Sequence, residues 1–518
     1  MTKLQSGRKS RSKKTSESEL FQKITFRYPA SQKNRNLRQK ALLSTLVYMS
    51  QKKGDRSYLF YPLNAKVMME SIGRNYRKEL DELVEDGIIE ERRQYQVGKK
   101  SRHFRITPKI LDEDIIFETT NANKGVSRLL ALRKRKEWNA TMDKLMELSG
   151  DSSITVKRMA EIDCYLMNSL KKTSIKENAD IDSLVFEARD KWTRKIKRDK
   201  NGNRIIIKKK GRTNPKLSKE AVKYGAQKIV DKDFFFSSDK NGRKYNNWTS
   251  INKKIRPMMS FSGVDGGEDL VELDMINSQA NLLFSWLEYS VRKDEENPNS
   301  ALKSKILFFS SYYQSLQIPS RSPSYMIENE AVKCKDRKDG QDRQVVFPFQ
   351  SNPGKIIAEL EQIKVMLSED GKSLYKMLAG KLKIEVKEAK TEFFKMVFTN
   401  AGGQCVSKVG QLFRKEYPAI FKYLLDIKNT NPYELIANNL QQIESHFLFF
   451  NIIYNKIMKI KENPPVITIH DSLIIPRKYE ESAKRCFAEA FEEIGIIGGV
   501  KSIPLSCPEL AQIDARAA

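Results

Sequence analysis

The sequence predicts a mostly helical α+β protein, and three observations carry that expectation. Several long stretches repeat apolar residues at helical spacing, among them Leu37 to Gln51, Ile154 to Leu170 and Pro353 to Leu382. Strand patterns are short and few, chiefly Leu270 to Met275 and the two arms of Val466 to Pro476. Hydrophobic content is 39%, as in a globular chain, and no apolar run is long enough to span a bilayer. A length of 518 residues allows two to four domains.

The charge narrows the functional classes. A net charge of +29 points to a polyanionic partner, and nucleic acid fits better than a membrane because no basic amphipathic helix dominates. Cys164, Cys334, Cys405, Cys486 and Cys507 are dispersed without a CxxC pair, which suggests a reducing, cytoplasmic setting and no zinc site. With only His103, His446 and His470, histidine-rich metal or triad chemistry is disfavoured. The first residues lack a signal peptide's apolar segment.

Taken in order, residues 1–36 are rich in Lys, Arg, Ser, Gln and Asn and are expected to form a flexible basic arm. Residues 37–110 read as helix (Leu37 to Gln51), short helix (Asn64 to Ile72), third helix (Arg74 to Glu85) and a hairpin of Ile88 to Gln94 with Ser101 to Thr107. This pattern resembles a winged helix-turn-helix. In it Arg74, Arg77 and Lys78 would face DNA, and Arg92, Lys99, Lys100 and Arg102 on the wing would meet phosphate. Protein docking is the alternative use of such a module. Residues 111–236 read as a helical, basic thumb or linker, with Arg128 to Trp138 and Ile154 to Leu170 the clearest helices. Within it Arg194 to Lys216 carries eleven Lys or Arg against one Asp, around Asn201-Gly202. The Asn-Gly pair favours a hairpin turn, so a basic hairpin is expected over 194–212, able to grip nucleic acid or simply solvated.

Residues 237–518 hold the chemistry. Asp239-Lys240-Asn241-Gly242-Arg243-Lys244-Tyr245 puts Gly before Arg at a turn, where a guanidinium can reach a phosphate. Leu270 to Met275 is a strand ending on Asp274, followed by a helix from Ser278 to Leu287. A hydrophilic insertion from Arg292 to Asn352 precedes the next helices. On Glu385 to Phe398, Lys387, Lys390, Phe394 and Phe398 share one helix face, which suits a nucleoside triphosphate, although an aromatic stripe at helical spacing is more often core. Asn400 to Gly403 stops that helix, and helices Val406 to Ile427 and Tyr433 to Ile460 follow. In Val466 to Pro476 two apolar strands flank His470-Asp471, with a terminal helix, Glu480 to Glu493, behind them. A buried aspartate needs a cation or donors, and two strand-borne aspartates could share two Mg²⁺ ions, or Mn²⁺ in their place.

These four stretches, in this order, resemble the core shared by family A DNA polymerases and the phage-type single-subunit RNA polymerases. Asp239-x-x-Gly242-Arg243 looks like their Thr/Asp-x-x-Gly-Arg motif, and Asp274 sits where motif A carries its metal-binding aspartate. Lys390, Phe394 and Phe398 are similar to motif B, and His470-Asp471-Ser472 to motif C. The sequence departs from the pattern at Val386, where motif B has Arg, at Gln279, where the DNA polymerases place a Glu, and at Phe398, usually Tyr. His-Asp-Ser and Asp239 look more like the RNA polymerases.

The resemblance implies a right-hand fold, with a small antiparallel palm sheet and helical fingers and thumb. It implies a template-directed nucleotidyltransferase using two Mg²⁺ ions, with RNA favoured over DNA as product. Asp274 and Asp471 would hold the ions with the Met275 carbonyl, and Lys390 and Lys387 would bind the triphosphate. Phe394 would contact base or sugar, and Phe398 and Gln279 would line the ribose. Arg243, His470 and Tyr245 would position template and primer. The alternatives are a family A-like DNA polymerase of a mobile element, a metal nuclease, and a non-catalytic replication initiator or regulator.

Overall fold

The structure, a computed structural model, describes residues 20–505 apart from 53–59, 93–101, 150–153, 178, 186–189, 199–203, 213–214, 240–241, 263–268, 293–351, 369–372, 432–433, 494 and 497. The described part is mostly helical, with small antiparallel sheets. Among the described residues no helix is long and apolar enough to cross a membrane.

The first elements are β1 (Lys23–Pro29), α1 (Leu37–Lys52), β2 (Tyr61–Leu63), α2 (Ala65–Ile72), α3 (Tyr76–Glu85), β3 (Ile89–Arg92), β4 (Arg102–Ile106), the single turn α4 (Pro108–Leu111) and β5 (Ile115–Asn121). The flexible arm expected over 1–36 is corrected by β1, which pairs antiparallel with β5 along its whole length. Ile24, Phe26 and Tyr28 are buried there, so ordering the segment removes apolar surface from water. Asn64 caps α2 by accepting from the Lys66 and Val67 amides at 3.0 and 3.2 Å. Helix α3 buries Tyr76, Leu80 and Leu83 on one face, against a sheet of order β2-β4-β3. The wing tip, with Lys99 and Lys100, lies outside the described residues.

Next come α5 (Gly125–Ser149), α6 (Ile154–Lys171), β6 (Thr173–Ile175), β7 (Asp190–Arg198), β8 (Arg204–Arg212), α7 (Pro215–Val230), β9 (Phe236–Ser238), β10 (Lys244–Asn246), α8 (Asn247–Ser250) and β11 (Met259–Phe261). Strands β7 and β8 form the expected basic hairpin, its Asn201-Gly202 turn lying outside the described residues. The region is less uniformly helical than its charge pattern suggests, because β6 pairs with β11 and β9 with β10.

The last part holds β12 (Leu270–Met275), α9 (Ser278–Arg292), α10 (Pro353–Ser368), α11 (Ser373–Leu382), α12 (Val386–Phe398), α13 (Ala401–Val406), α14 (Lys408–Glu416), α15 (Pro418–Thr430), α16 (Glu434–His446), β13 (Ile467–Ile469), β14 (Ser472–Pro476), α17 (Glu480–Glu493) and β15 (Val500–Leu505). Three expected boundaries change. Asn400 ends α12 but also caps α13, accepting from the Gly403 amide at 2.8 Å. The helix expected over 406–427 is broken where Ser407 caps α14 and Pro418 starts α15. The helix expected over 433–460 widens into π-helix at Phe447–Tyr454, with a 3₁₀ turn after it. The insertion expected over 292–352 falls almost wholly outside the described residues.

The central sheet is antiparallel with order β13-β14-β12-β15. One hydrophobic core runs from Leu20 to Leu505, through the boundaries expected at 110 and 236, and a second fills the helices from Ala280 to Ile443. Helix α6 binds the two halves of the chain together. Its Ser169 hydroxyl accepts from the Val466 amide at 3.1 Å, and its Tyr165 hydroxyl donates to the Pro464 carbonyl. Its Asp163 pairs with Lys244 of β10 at 2.7 Å, with the two side chains 1% and 0% exposed. Burial holds the Lys244 ammonium below its ordinary pKa, and Asp163 opposes that shift.

Removing one member of a buried ion pair strands the other charge. Asp163→Asn should therefore lower the unfolding free energy by about 3 kcal/mol, read from urea midpoints, and Lys244→Met added to it should recover most of the loss. An unchanged midpoint in the single variant would show that the pair does not hold β10 in place.

Candidate active site

The site grows from the central sheet. The β12–β14 register sets Asp274 opposite Ser472, and the β13–β14 register sets Ile469 opposite Ser472, leaving His470-Asp471 as the two-residue turn. Ile467, Ile469, Leu473, Ile474 and Ile475 are buried, which pins the hairpin to the core and leaves its tip at the edge. His470 has φ 56°, a left-handed conformation costing a non-glycine residue about 1 kcal/mol or more, which the surrounding packing sustains. Sequence-distant Asp274 and Asp471 thus become neighbours, and the Met275 amide donates to the Asp471 carbonyl at 3.4 Å.

Asp274 is half-buried, and its carboxyl is pushed up to about 6 by burial first, then by Asp471 and Glu272, against the opposing pull of Lys390 and Lys253. Glu272 is partly neutralised by Arg256 at 3.3 Å and accepts from the Ser472 hydroxyl at 2.9 Å. A half-buried carboxylate raised by its carboxylate neighbours at the edge of a sheet fits a divalent cation, whose charge would remove the repulsion. Among the described residues no group of three or more His, Cys, Asp or Glu forms a metal cluster, and Asp274, Asp471 and the Met275 carbonyl are the ligands that the resemblance implies.

A buried carboxylate that sequence reasoning missed lies behind the pair. Glu444 of α16 has its side chain 3% exposed, and burial together with Asp471 raises its pKa, against the pull of Arg243. The Ser278 hydroxyl at the start of α9 sits 2.7 Å from Glu444 Oε1 and 3.0 Å from Asp471 Oδ2, so its single proton is shared between two acceptors. The Arg243 guanidinium closes the chain through Nη2 at 2.8 Å from Glu444 Oε2. The available signal was a lone carboxylate, Ile443-Glu444-Ser445, beside the apolar run Phe447 to Phe450.

Several expected contacts are reassigned. Arg243, expected on a phosphate, is held by Glu444, and its side chain is 20% exposed. Asp239 accepts from the Arg243 amide and the Tyr245 hydroxyl, both at 3.0 Å, across a turn in which Gly242 has φ 84°. Tyr245 stands edge-on to His470, with ring centroids 6.1 Å apart. The His470 imidazole is held below its usual pKa by desolvation and by Arg243 and Arg256, against Asp471. On α12, Lys387 and Lys390 are exposed, and Lys390 Nζ lies 5.6 Å from the Tyr375 ring. Phe394 and Phe398 are half-buried and stack on each other at 5.5 Å with a 9° interplanar angle, so they form one aromatic slab. Gln279 is half-buried in the first turn of α9.

In the N-terminal unit Arg74, Arg77, Lys78 and Arg92 are exposed. Arg77 Nε donates to the Tyr76 hydroxyl at 3.1 Å, and Lys78 lies 3.8 Å from Glu82. The Arg102 guanidinium, expected on phosphate, forks onto Glu91 through Nε and Nη2 at 2.6 and 2.7 Å and reaches Asp81 at 2.8 Å. Those carboxylates raise its pKa further. Compared with known proteins, the chain matches no family model and no curated sequence.

Helix α12 is braced from below. Lys428 of α15 donates to the Met396 carbonyl, one of the four at the helix C-terminus without an intrahelical partner. Burial lowers the Lys428 pKa to about 7. Because the folded pKa lies below that of an unfolded lysine, the unfolded chain binds the extra proton between the two values. Stability from this group therefore rises with pH from about 7 towards 10. Urea unfolding should show a gain of about 2 kcal/mol from this group between pH 7 and pH 9 that is missing in Lys428→Met. Parallel pH profiles for the two proteins would refute the assignment.

Proposed function

We propose that this chain is a template-directed nucleotidyltransferase that extends a 3′-hydroxyl, with RNA the favoured product. The observation that carries the reading is the β12–β14 pairing, which puts Asp274 and Asp471 side by side with Lys390 in electrostatic reach. Asp274, Asp471 and the Met275 carbonyl would hold Mg²⁺ or Mn²⁺. Bound there, the ions would sharpen the 3′-hydroxyl and neutralise the triphosphate.

The chain's own residues supply the rest. Lys390 and Lys387, on the exposed face of α12, are suited to grip the triphosphate, and Lys390 can give a proton to the departing pyrophosphate as the new bond to the α-phosphorus forms. The Phe394–Phe398 slab offers a flat apolar wall for base and sugar, with Gln279 on the ribose side. Ser278 and Glu444 hold the Asp471 carboxylate in one orientation, and Arg243 balances the charge of Glu444. His470 and Tyr245 flank the position of a primer end. The order α1-β2-α2-α3-β3-β4 supports a winged helix-turn-helix, with Arg74, Arg77, Lys78 and Arg92 left to face DNA.

The test is incorporation of labelled nucleotides on primed and unprimed templates, with rNTPs and dNTPs offered separately. Template-dependent product should fall at least about 1,000-fold in Asp274→Asn and in Asp471→Asn. No product on any template, with DNA binding retained and indifferent to Mg²⁺, would leave a non-catalytic DNA-binding protein.

Ser278→Ala should weaken Mn²⁺ binding by about tenfold in calorimetric titration, the usual effect of removing a hydrogen bond that orients a metal ligand. Unchanged Mn²⁺ affinity would mean that Ser278 orients Glu444 alone.

A further inference from the structure

The β7–β8 hairpin is the most basic element of the described chain that the proposed chemistry does not use. Its strands are nine residues each and carry ten Lys or Arg against one carboxylate, Asp190. At about 3.3 Å per residue the ribbon is about 30 Å long. Among the described residues it is a two-stranded sheet of its own, β7 paired with β8.

Register sorts the charges. Pairing runs from Asp190 opposite Arg212 to Arg198 opposite Arg204, and cross-strand partners occupy one face while successive residues alternate. One face therefore takes the positions of Arg194, Arg198, Arg204 and Arg212, with Lys208 and Lys210. The other takes Lys191, Lys195, Lys197 and Lys209, and no arginine.

A flat anionic surface would use one such face and leave the other in water. The major groove of B-form DNA is different: it is about 12 Å wide, admits a two-stranded ribbon, and offers base edges at its floor and phosphates along both walls. Arginine forks match guanine edges, and lysine point charges suit phosphates. The major groove of A-form RNA is too narrow for a ribbon. We propose that the β7–β8 ribbon enters the major groove of B-form DNA, its arginine face to the base edges and its lysines serving the phosphate walls. This rests on the nucleic-acid partner of the proposed function and not on its chemistry.

The test is fluorescence anisotropy of the full-length protein with labelled duplex DNA, duplex RNA, single-stranded DNA and anionic vesicles. It is run in EDTA without nucleotide over a salt series. Replacing Lys191, Lys195, Lys197 and Lys209 by Gln should reduce the slope of log K against log salt on duplex DNA by about 3, while replacing them by Arg should leave it unchanged. Replacing the four arginines of the opposite face by Lys should keep the slope and reduce preference between G·C-rich and A·T-rich duplexes by about tenfold. An unchanged slope in the Gln variant would overturn the proposal, as would an equal slope change on duplex RNA or equal loss of binding to vesicles. Asp471→Asn separates the two readings. If it and wild type both fail to incorporate nucleotides while the ribbon variants still alter DNA binding, the polymerase reading falls and the ribbon stands. If wild type incorporates and the ribbon variants bind as it does, only the ribbon proposal falls.

Discussion

Repulsion between two carboxylates is the constraint around which the central part of this molecule is arranged. Asp274 and Asp471 come from segments far apart in the chain, and nothing local holds them together. What does is the β12–β14 ladder, anchored by buried aliphatic residues on both strands. A slip of one residue would carry Asp274 off Ser472 and away from the tip of the hairpin, so the register of the ladder is what sets the electrostatic conflict. A raised Asp274 pKa and a left-handed His470 are the local signs of that enforcement.

The surrounding layers relieve the conflict by stages. Ser278 spreads its proton over Glu444 and Asp471, Arg243 balances Glu444, and Arg256 balances Glu272. Strand β10, which carries the residue after Arg243, is fixed by the buried Lys244–Asp163 pair and by Asn246 Nδ2 donating to the Thr468 carbonyl at 3.3 Å. The positive side of the site is lighter: Lys390 and Lys387 are exposed on α12, and Lys390 acts on Asp274 through its charge. On the function proposed above, a triphosphate's negative charge would meet lysines on one side and the aspartate pair on the other.

Much of this could be read from the sequence where pattern and chemistry are contiguous. The strand at 270–275, the hairpin at 467–476 and the lysine-phenylalanine face of α12 each lie within one short window, and the structure forms all three elements. Strand β1 was hidden because its partner, β5, lies beyond a whole unit of helices and strands, and its basic surroundings resemble a flexible tail. Strand β15 is a short edge containing Pro504, with little alternation to reveal it. The breaks at Ser407 and Pro418 carried ordinary cap signals that the apolar periodicity outweighed. Glu444 was passed over because a single carboxylate in a helix is usually a solvent-facing residue, and only its partners reveal that it is buried. The pairing of Arg102 with Glu91 and Asp81 was hidden in the same way, since those carboxylates come from neighbouring elements.

The bond between the Val466 amide and Ser169 joins residues 297 positions apart. At a synthesis rate of about 5–20 residues per second, α6 leaves the ribosome about 15–60 s before the hairpin that covers it is made. During that interval the Ser169 hydroxyl and the Tyr165 hydroxyl lack the Val466 and Pro464 partners they have in the finished protein. Helix formation itself takes microseconds, so α6 waits as a formed but unfinished surface. Synthesis thus makes α6 first and the hairpin that docks on it last, so the candidate site can close only once nearly the whole chain has been made.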